Sequence, residues 1–250
     1  MRHKTKGIVI RETPKGETSK LLTLLTSDLG VITVNAKGLR KITSPYLKSA
    51  QLFAFSDFLL YEKNGFYTLT ESALITDFYS LRENIKNYSL ACYFCEAASA
   101  FAVPGEDSAS ILRLLLNSLY AIENGKSPRE LVKSAFELRL CTECGFMPET
   151  EFCAECGDET KGCAYLFNIT QGVAFCRNCA SNNEDYICVT PAVGRAIEHI
   201  VLSELSRFIS FRIGADDQLL LSKISERFLL THAERGFKTL SFYKHCEELP

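Results

Sequence analysis

The chain has 250 residues, 46% of them hydrophobic and 23% charged, with 14 Gly, 7 Pro and a formal net charge of −2. That balance excludes a disordered or collagen-like chain and leaves room for one large domain or two smaller ones. The longest stretch without a charged residue, 162–176, has 15 residues and includes Asn168, Thr170 and Gln171, short of the roughly 20 apolar residues that span a bilayer.

Behind Met1-Arg2-His3-Lys4-Thr5-Lys6 there is no apolar run of the signal-peptide kind. The expected compartment is therefore the cytoplasm, where thiols stay reduced. Charge is unevenly spread. Residues 1–50 hold 10 Lys or Arg against 3 acids, a local +7 that leaves −9 for the remainder. A basic first segment on an acidic body predicts a polyanion-binding surface at one end.

Residues 7–71 read as short strands at 7–11, 20–26, 31–37, 51–62 and 66–71, rich in Val, Ile, Leu, Phe, Tyr and Thr. Pro14-Lys15-Gly16 and Ser27-Asp28-Leu29-Gly30 mark reversals, and Asn64-Gly65 suits a two-residue hairpin turn. Five strands in so few residues protect their edges best by closing into a small barrel.

Beyond residue 80 the period becomes helical, at about 81–102, 107–123, 128–143, 191–208, 216–234 and 239–248. Ser127-Pro128-Arg129-Glu130 has the form of a capping box with proline at the first helical position, and Thr190-Pro191 opens the next helix similarly. Ile111, Leu114, Leu115 and Leu119 share one face, as in a helical bundle.

Between the third and fourth helices the pattern breaks and cysteines concentrate. Of 11 cysteines, eight form Cys-x-x-Cys pairs: Cys92/Cys95, Cys141/Cys144, Cys153/Cys156 and Cys176/Cys179. Two such pairs complete a tetrahedral zinc site. Gly157 follows Cys156, and 19 residues separate Cys156 from Cys176, within the gap of a paired Cys-x-x-Cys module. The intervening segments 164–170 and 173–175 flank Gln171-Gly172 and read as a hairpin.

Cys92/Cys95 lie in an apolar helical stretch, as ordinary buried thiols do. Cys141/Cys144 compete, because Gly145 follows them, but Phe136-Glu137-Leu138-Arg139-Leu140 continues a helix into that pair. Spacing therefore favours Cys153, Cys156, Cys176 and Cys179 as ligands of one zinc. A closed four-thiolate site contributes folding energy, with no position open for substrate.

Enzyme motifs fail on inspection. His232-Ala233-Glu234 has the deaminase His-x-Glu form but follows every Cys pair, and Gly125-Lys126-Ser127 lacks the earlier glycine of a phosphate loop, Tyr120 standing there. The expectation is a binding protein without catalytic residues.

These residues resemble the RecO family of bacterial recombination mediators over nearly the whole chain. The resemblance rests on Gly7-Ile8-Val9-Ile10, Gly16-Glu17, Leu22 to Leu25, Leu29-Gly30 and Ala36-Lys37-Gly38-Leu39-Arg40-Lys41 near the start. In the middle it rests on Phe136-Glu137-Leu138-Arg139-Leu140 followed by Gly145-Phe146-Met147-Pro148-Glu149. Leu39 departs from the small residue commoner there. The family places its metal pairs where Cys153/Cys156 and Cys176/Cys179 stand.

The resemblance implies an oligonucleotide-binding (OB-fold) barrel over 1–80 and an α-helical domain over 81–250 with a four-cysteine zinc module inserted at about 149–183. It implies DNA repair and recombination by binding single- and double-stranded DNA, annealing complementary strands and helping to load RecA onto strands coated by single-strand-binding protein, with RecR as partner. The expected DNA contacts are Arg11, Lys15, Lys20, Lys37, Arg40, Lys41 and Lys48, with Tyr46, Phe53, Phe55, Phe66 and Tyr67 as stacking candidates set against a core role. The single-strand-binding protein's acidic, apolar C-terminal tail is expected on the helical domain, with Arg129, Lys133 and Arg139 as a basic rim. A zinc-ribbon accessory factor of transcription or translation and a metalloenzyme are the competing classes, and a strand-annealing assay separates them.

Overall fold

A computed structural model describes residues 1–180 and 185–249. Residues 181–183 of the expected zinc module and Pro250 lie outside the described residues. Among the described residues no helix is long and apolar enough to cross a membrane. The chain divides into two compact units, residues 1–123 with 237–250, and residues 124–236.

The first unit opens with β1 (Arg2–Lys15), β2 (Ser19–Thr26), β3 (Val31–Ala36), β4 (Phe55–Lys63) and β5 (Phe66–Thr76). They close in the order β1-β2-β3-β5-β4, with β4 returning to β1 and the parallel pairs Val34↔Tyr67 and Asn35↔Thr68 joining β3 to β5. Closure removes the free edges of an open sheet, and the topology is that of an OB-like barrel. Val9, Leu22, Leu24, Val34, Phe58 and Leu60 fill the interior.

Strand boundaries differ from expectation at four places, one being the far end of β1, which runs on through Pro14 to Lys15 opposite Lys20 and Ser19 of β2. β1 begins at Arg2 because Arg2, Lys4 and Lys6 point outward while His3 and Thr5 turn inward, an alternation of polar residues that hydrophobic patterning does not register. β4 begins at Phe55 because the buried Phe53 takes a left-handed φ of 66°, its N–H donating to the Val9 carbonyl while the Val9 N–H donates to the Ala54 carbonyl. β5 extends to Thr76 along β4.

A short 3₁₀ turn, Tyr79–Glu83, leads to α1 (Ile85–Phe101), α2 (Ala109–Asn124) and, at the end of the chain, α6 (Lys238–Glu248). The Asn84 side chain caps α1 by accepting from the backbone N–H groups of Lys86 and Asn87. α6 packs on α1, where Glu96 accepts from the Thr239 backbone N–H at 3.1 Å. The barrel's strands end near the expected 80/81 boundary, whereas the packing places α1, α2 and α6 in one unit with the barrel.

The second unit holds α3 (Arg129–Glu143), a sheet of β6 (Glu149–Cys153), β7 (Tyr165–Asn168), β8 (Val173–Phe175) and β9 (Tyr186–Val189), then α4 (Pro191–Leu202) and α5 (Ala215–Ala233). The strand order is β6-β8-β7-β9. β7 and β8 form the expected hairpin, with Gly172 at φ 72° in its turn. α3, buried continuously from Leu131 to Leu138, packs against α4 and α5. Phe167 of β7 meets Phe228 of α5 at 5.8 Å between ring centroids, which joins the sheet to the helices.

Two helix ends correct the sequence reading. Pro128 occupies the cap of α3 without a side-chain hydrogen bond, and Glu130 instead accepts from Ser222 at 3.0 Å, so no capping box forms. α4 stops at Leu202 rather than near 208, because the Arg139 guanidinium binds the carbonyls of Ile200, Val201 and Ser203 at 3.1, 2.6 and 2.7 Å. Thr190 does cap α4, accepting from the Val193 backbone N–H at 3.2 Å.

Candidate metal centre and nucleic-acid interface

β6 ends on Cys153, which lies opposite Ala174 of β8, and β8 runs straight into Cys176. The two Cys-x-x-Cys turns are thereby held side by side. In the first, the Gly157 N–H returns to the Cys153 carbonyl at 2.9 Å with φ 75°, a turn glycine adopts without steric cost. In the second, the Cys179 and Ala180 N–H groups bind the Cys176 carbonyl at 3.2 and 3.1 Å.

The four sulfur atoms lie within 4.8 Å of one another, and Cys156 Sγ is 3.8 Å from Cys176 Sγ. Zinc–thiolate bonds of about 2.3 Å in a tetrahedron set sulfur pairs about 3.8 Å apart. The donor set fits a closed zinc site. The backbone N–H of Cys156, helped by those of Cys176 and Glu155 against the cost of desolvation, holds the Cys153 thiol down to about 6. The adjoining Cys176 and Cys156 sulfurs push Cys179 upward, as expected when thiolates crowd without a cation between them.

The competing pairs behave differently. Burial pushes Cys141 well up and Cys144 up to about 11, so both remain protonated thiols at the end of α3. Burial raises Cys92 and Cys95 on α1 as well. His232 stacks on Phe146 at 4.5 Å and meets Phe228 edge-on at 4.3 Å, which makes it a packing residue of the second unit.

On the barrel, the Arg40 guanidinium donates to the Gly16 carbonyl at 2.7 Å and the Arg40 N–H to the Thr18 carbonyl at 2.9 Å. The loop after β3 is thus tied to the β1–β2 turn. That contact brings exposed Lys15, Lys37, Arg40 and Lys41 to one end of the barrel. Lys20 shares this end, opposite Ala36, but is half-buried and paired with Glu12. Arg11 sits further along β1 opposite Thr23, and Lys48 lies in the loop before β4, both exposed.

Of the aromatic candidates, Phe53 is fully buried, Tyr46, Phe55 and Tyr67 are half-buried, and Phe66 is 79% exposed. Most of them are core, and Phe66 is free to stack.

The expected rim of Arg129, Lys133 and Arg139 does not form. Lys133 is 1% exposed and its ammonium lies between Glu137 at 2.9 Å and Glu226 at 3.0 Å. Arg139 is spent on Glu143 and on the end of α4. Arg129 is half-buried. A local window reads Lys133 and Arg139 as surface charges because what buries them, Glu226 of α5 and the carbonyls at the end of α4, is distant in sequence. Arg2, Lys4 and Lys6 form a further basic row, which their period-two spacing signals as one exposed strand face.

Comparison with known proteins agrees along both units. Residues 1–78 match the family model described as Recombination protein O N terminal, and residues 82–241 match Recombination protein O C terminal. The chain is 28% identical over 247 residues to DNA repair protein RecO of Acetivibrio thermocellus, covering 98% of each chain. It is 29% identical over 244 residues to DNA repair protein RecO of Caldicellulosiruptor bescii, again covering 98% of each. With DNA repair protein RecO of Dehalococcoides mccartyi strain BAV1 the identity is 34% over 176 residues, 70% of this chain and 69% of the relative. With residues 1–78 and 82–241 matched by these models, the chain that carries this OB-like barrel, helical region and four-cysteine cluster belongs to the RecO family of DNA repair proteins.

Proposed function

We propose that the protein is a non-enzymatic cytoplasmic mediator. It binds single- and double-stranded DNA at the basic end of the barrel, anneals complementary strands and, with RecR, helps RecA onto strands coated by single-strand-binding protein. The observation that carries this reading is the convergence of Lys15, Lys37, Arg40 and Lys41, organised by the hydrogen bond from Arg40 to Gly16. Unpaired cations on a barrel end attract phosphate without reading sequence.

One structural zinc on Cys153, Cys156, Cys176 and Cys179 belongs to the same reading. The metal supplies cross-linking of β6 to β8 and no reacting position. A cavity of about 290 Å³ in the second unit offers the tail an apolar seat on exposed Met147, Phe152 and Leu202, while its charged lining is Glu149, Glu151 and Glu198 against Lys161 and Arg195, so apolar contact rather than charge supports docking there.

Annealing of complementary oligonucleotides by the purified chain tests the proposal. Replacing Lys37, Arg40 and Lys41 by Ala should weaken binding to all sequences alike. At about 0.7 per phosphate on a single strand, the slope of log affinity against log salt should fall in magnitude by about 2. An unchanged slope in the folded variant would place the DNA elsewhere.

A further inference from the structure

The basic end of the barrel leaves a second set of unpaired cations unexplained. Arg2, Lys4 and Lys6 occupy alternate positions at the other end of β1 from Lys15, all three exposed, with no ion pair among the described residues. Alternate residues of a strand project from one face about 7 Å apart, close to the phosphate repeat of an extended single strand.

Cross-strand register identifies the neighbours of this row. Arg2 lies opposite Tyr61, Lys4 opposite Leu59 and Lys6 opposite Asp57 on β4. On the far side of β4, Lys63 pairs with Phe66 and Leu59 with Glu71. Directly paired residues of an antiparallel ladder share a face. One outer face of β1, β4 and β5 therefore presents Arg2, Lys4, Lys6 and Lys63 beside two exposed rings, Tyr61 at 47% and Phe66 at 79%. Asp57 and Glu71 are the acids on that face, and neither forms an ion pair among the described residues.

A row of free cations beside exposed rings is the combination that holds single-stranded nucleic acid, cations for phosphate and rings for bases. An OB-fold's usual path crosses strands two and three, whereas this face lies on β1 and β4. We propose that the outer face of β1 and β4, built on Arg2, Lys4, Lys6, Tyr61 and Phe66, is a second single-strand site, so that one chain holds two strands at once. The inference deepens the annealing reading and rests on it for its purpose: two strands held on one barrel meet without a bimolecular search.

The test titrates the full chain with a labelled oligothymidylate of about ten nucleotides, within the length that one such barrel accommodates. The unmodified chain should take two strands per chain. Arg2→Ala/Lys4→Ala/Lys6→Ala should take one, with the second site weakened at least tenfold and its salt slope reduced by about 2. Tyr61→Ala/Phe66→Ala should weaken the same site with its salt slope unchanged, because no charge is removed.

Arg113→Ala/Lys223→Ala/Lys238→Ala removes as many exposed cations elsewhere and should still bind two strands. Saturation of the unmodified chain at one strand, two strands on the β1 variant, or an equal loss in the control would each overturn the proposal. Annealing is scored separately. Two strands bound without annealing would reject the annealing function and leave the second site standing.

Discussion

Lys133 shows how far a side chain's role depends on residues distant in sequence. On its own helix it reads as one more charge four residues before Glu137, yet the ammonium is almost completely buried, and Ser225 of α5 donates to the second Glu137 oxygen at 2.7 Å. Burial acts to lower the Lys133 pKa, but Glu137 and Glu226 outweigh it and hold the pKa above its ordinary value. A lysine whose pKa rises on folding contributes its full stability below the unfolded value, here 10.5, and loses that stability as pH climbs through the folded one. Lys133→Met should destabilise the second unit by about 3–5 kcal/mol, because Glu137 is left buried without its partner. Urea denaturation should show that deficit throughout about pH 6 to 9, widening as the unpartnered Glu137 of the variant resists losing its proton, and shrinking above about 10.5, where Lys133 of the unmodified chain loses its own. A deficit that vanished near pH 7 would mean the pair is not ionised. The zinc ligands are testable at the same scale. Cys153→Ser/Cys156→Ser should abolish bound zinc and Cys141→Ser/Cys144→Ser should retain it, as metal analysis of the purified variants would show.

At the scale of elements, what the sequence made legible was local and what it hid was tertiary. Barrel strands, the β7–β8 hairpin and both cysteine turns follow from neighbours within a few residues, so patterning finds them. The end of α4 is set by Arg139, and the fate of Glu130 by Ser222 of α5, both beyond the reach of a local window. β6 and β9 have 5 and 4 residues and no clear alternation, so they emerge only once β8 and β7 offer edges to pair with. The Ser27-Asp28-Leu29-Gly30 turn was legible as a turn, but not as a docking point. Gly30, at φ 62°, lies so close to the α1–α2 loop that a Cβ would fall 1.9 Å from the Val103 carbonyl oxygen. The loop is also bound there by Gly105 N–H to the Leu29 carbonyl and Ser108 N–H to the Ser27 carbonyl, both at 2.9 Å. Gly30→Ala should therefore cost more than about 2 kcal/mol, beyond the backbone strain alone. Gly16→Ala, also left-handed but with nothing within 4 Å, should cost only that strain of about 1–2 kcal/mol. Equal melting temperatures for the two variants would show that the turn does not bear on the loop.

Over the whole molecule, the division into two units decides how far loss of the metal spreads. The cysteine cluster belongs to residues 124–236, and its covalent reach is β6 and β8. β8 pairs with β7, β7 with β9, and Phe167 of β7 packs on α5, so the cluster's support runs through that sheet into the helices of its own unit. The barrel closes through its own ladder from β1 to β4 and has its own apolar interior. Four thiolates brought within 4.8 Å repel one another when no cation separates them, so removal of zinc should loosen the two turns first and the sheet next. Hydrogen exchange on the full chain, with and without a strong chelator, resolves this by segment. Amides of β6 to β9 should lose protection by about tenfold or more on chelation, which corresponds to at least about 1.4 kcal/mol of local stability. Amides of β1 to β5 should not change, and binding of a short single strand to the barrel should survive with its salt dependence intact. Equal loss of protection in the barrel would show that the metal stabilises the chain as one cooperative body, and no loss in β6 to β9 would remove zinc from the account of the fold.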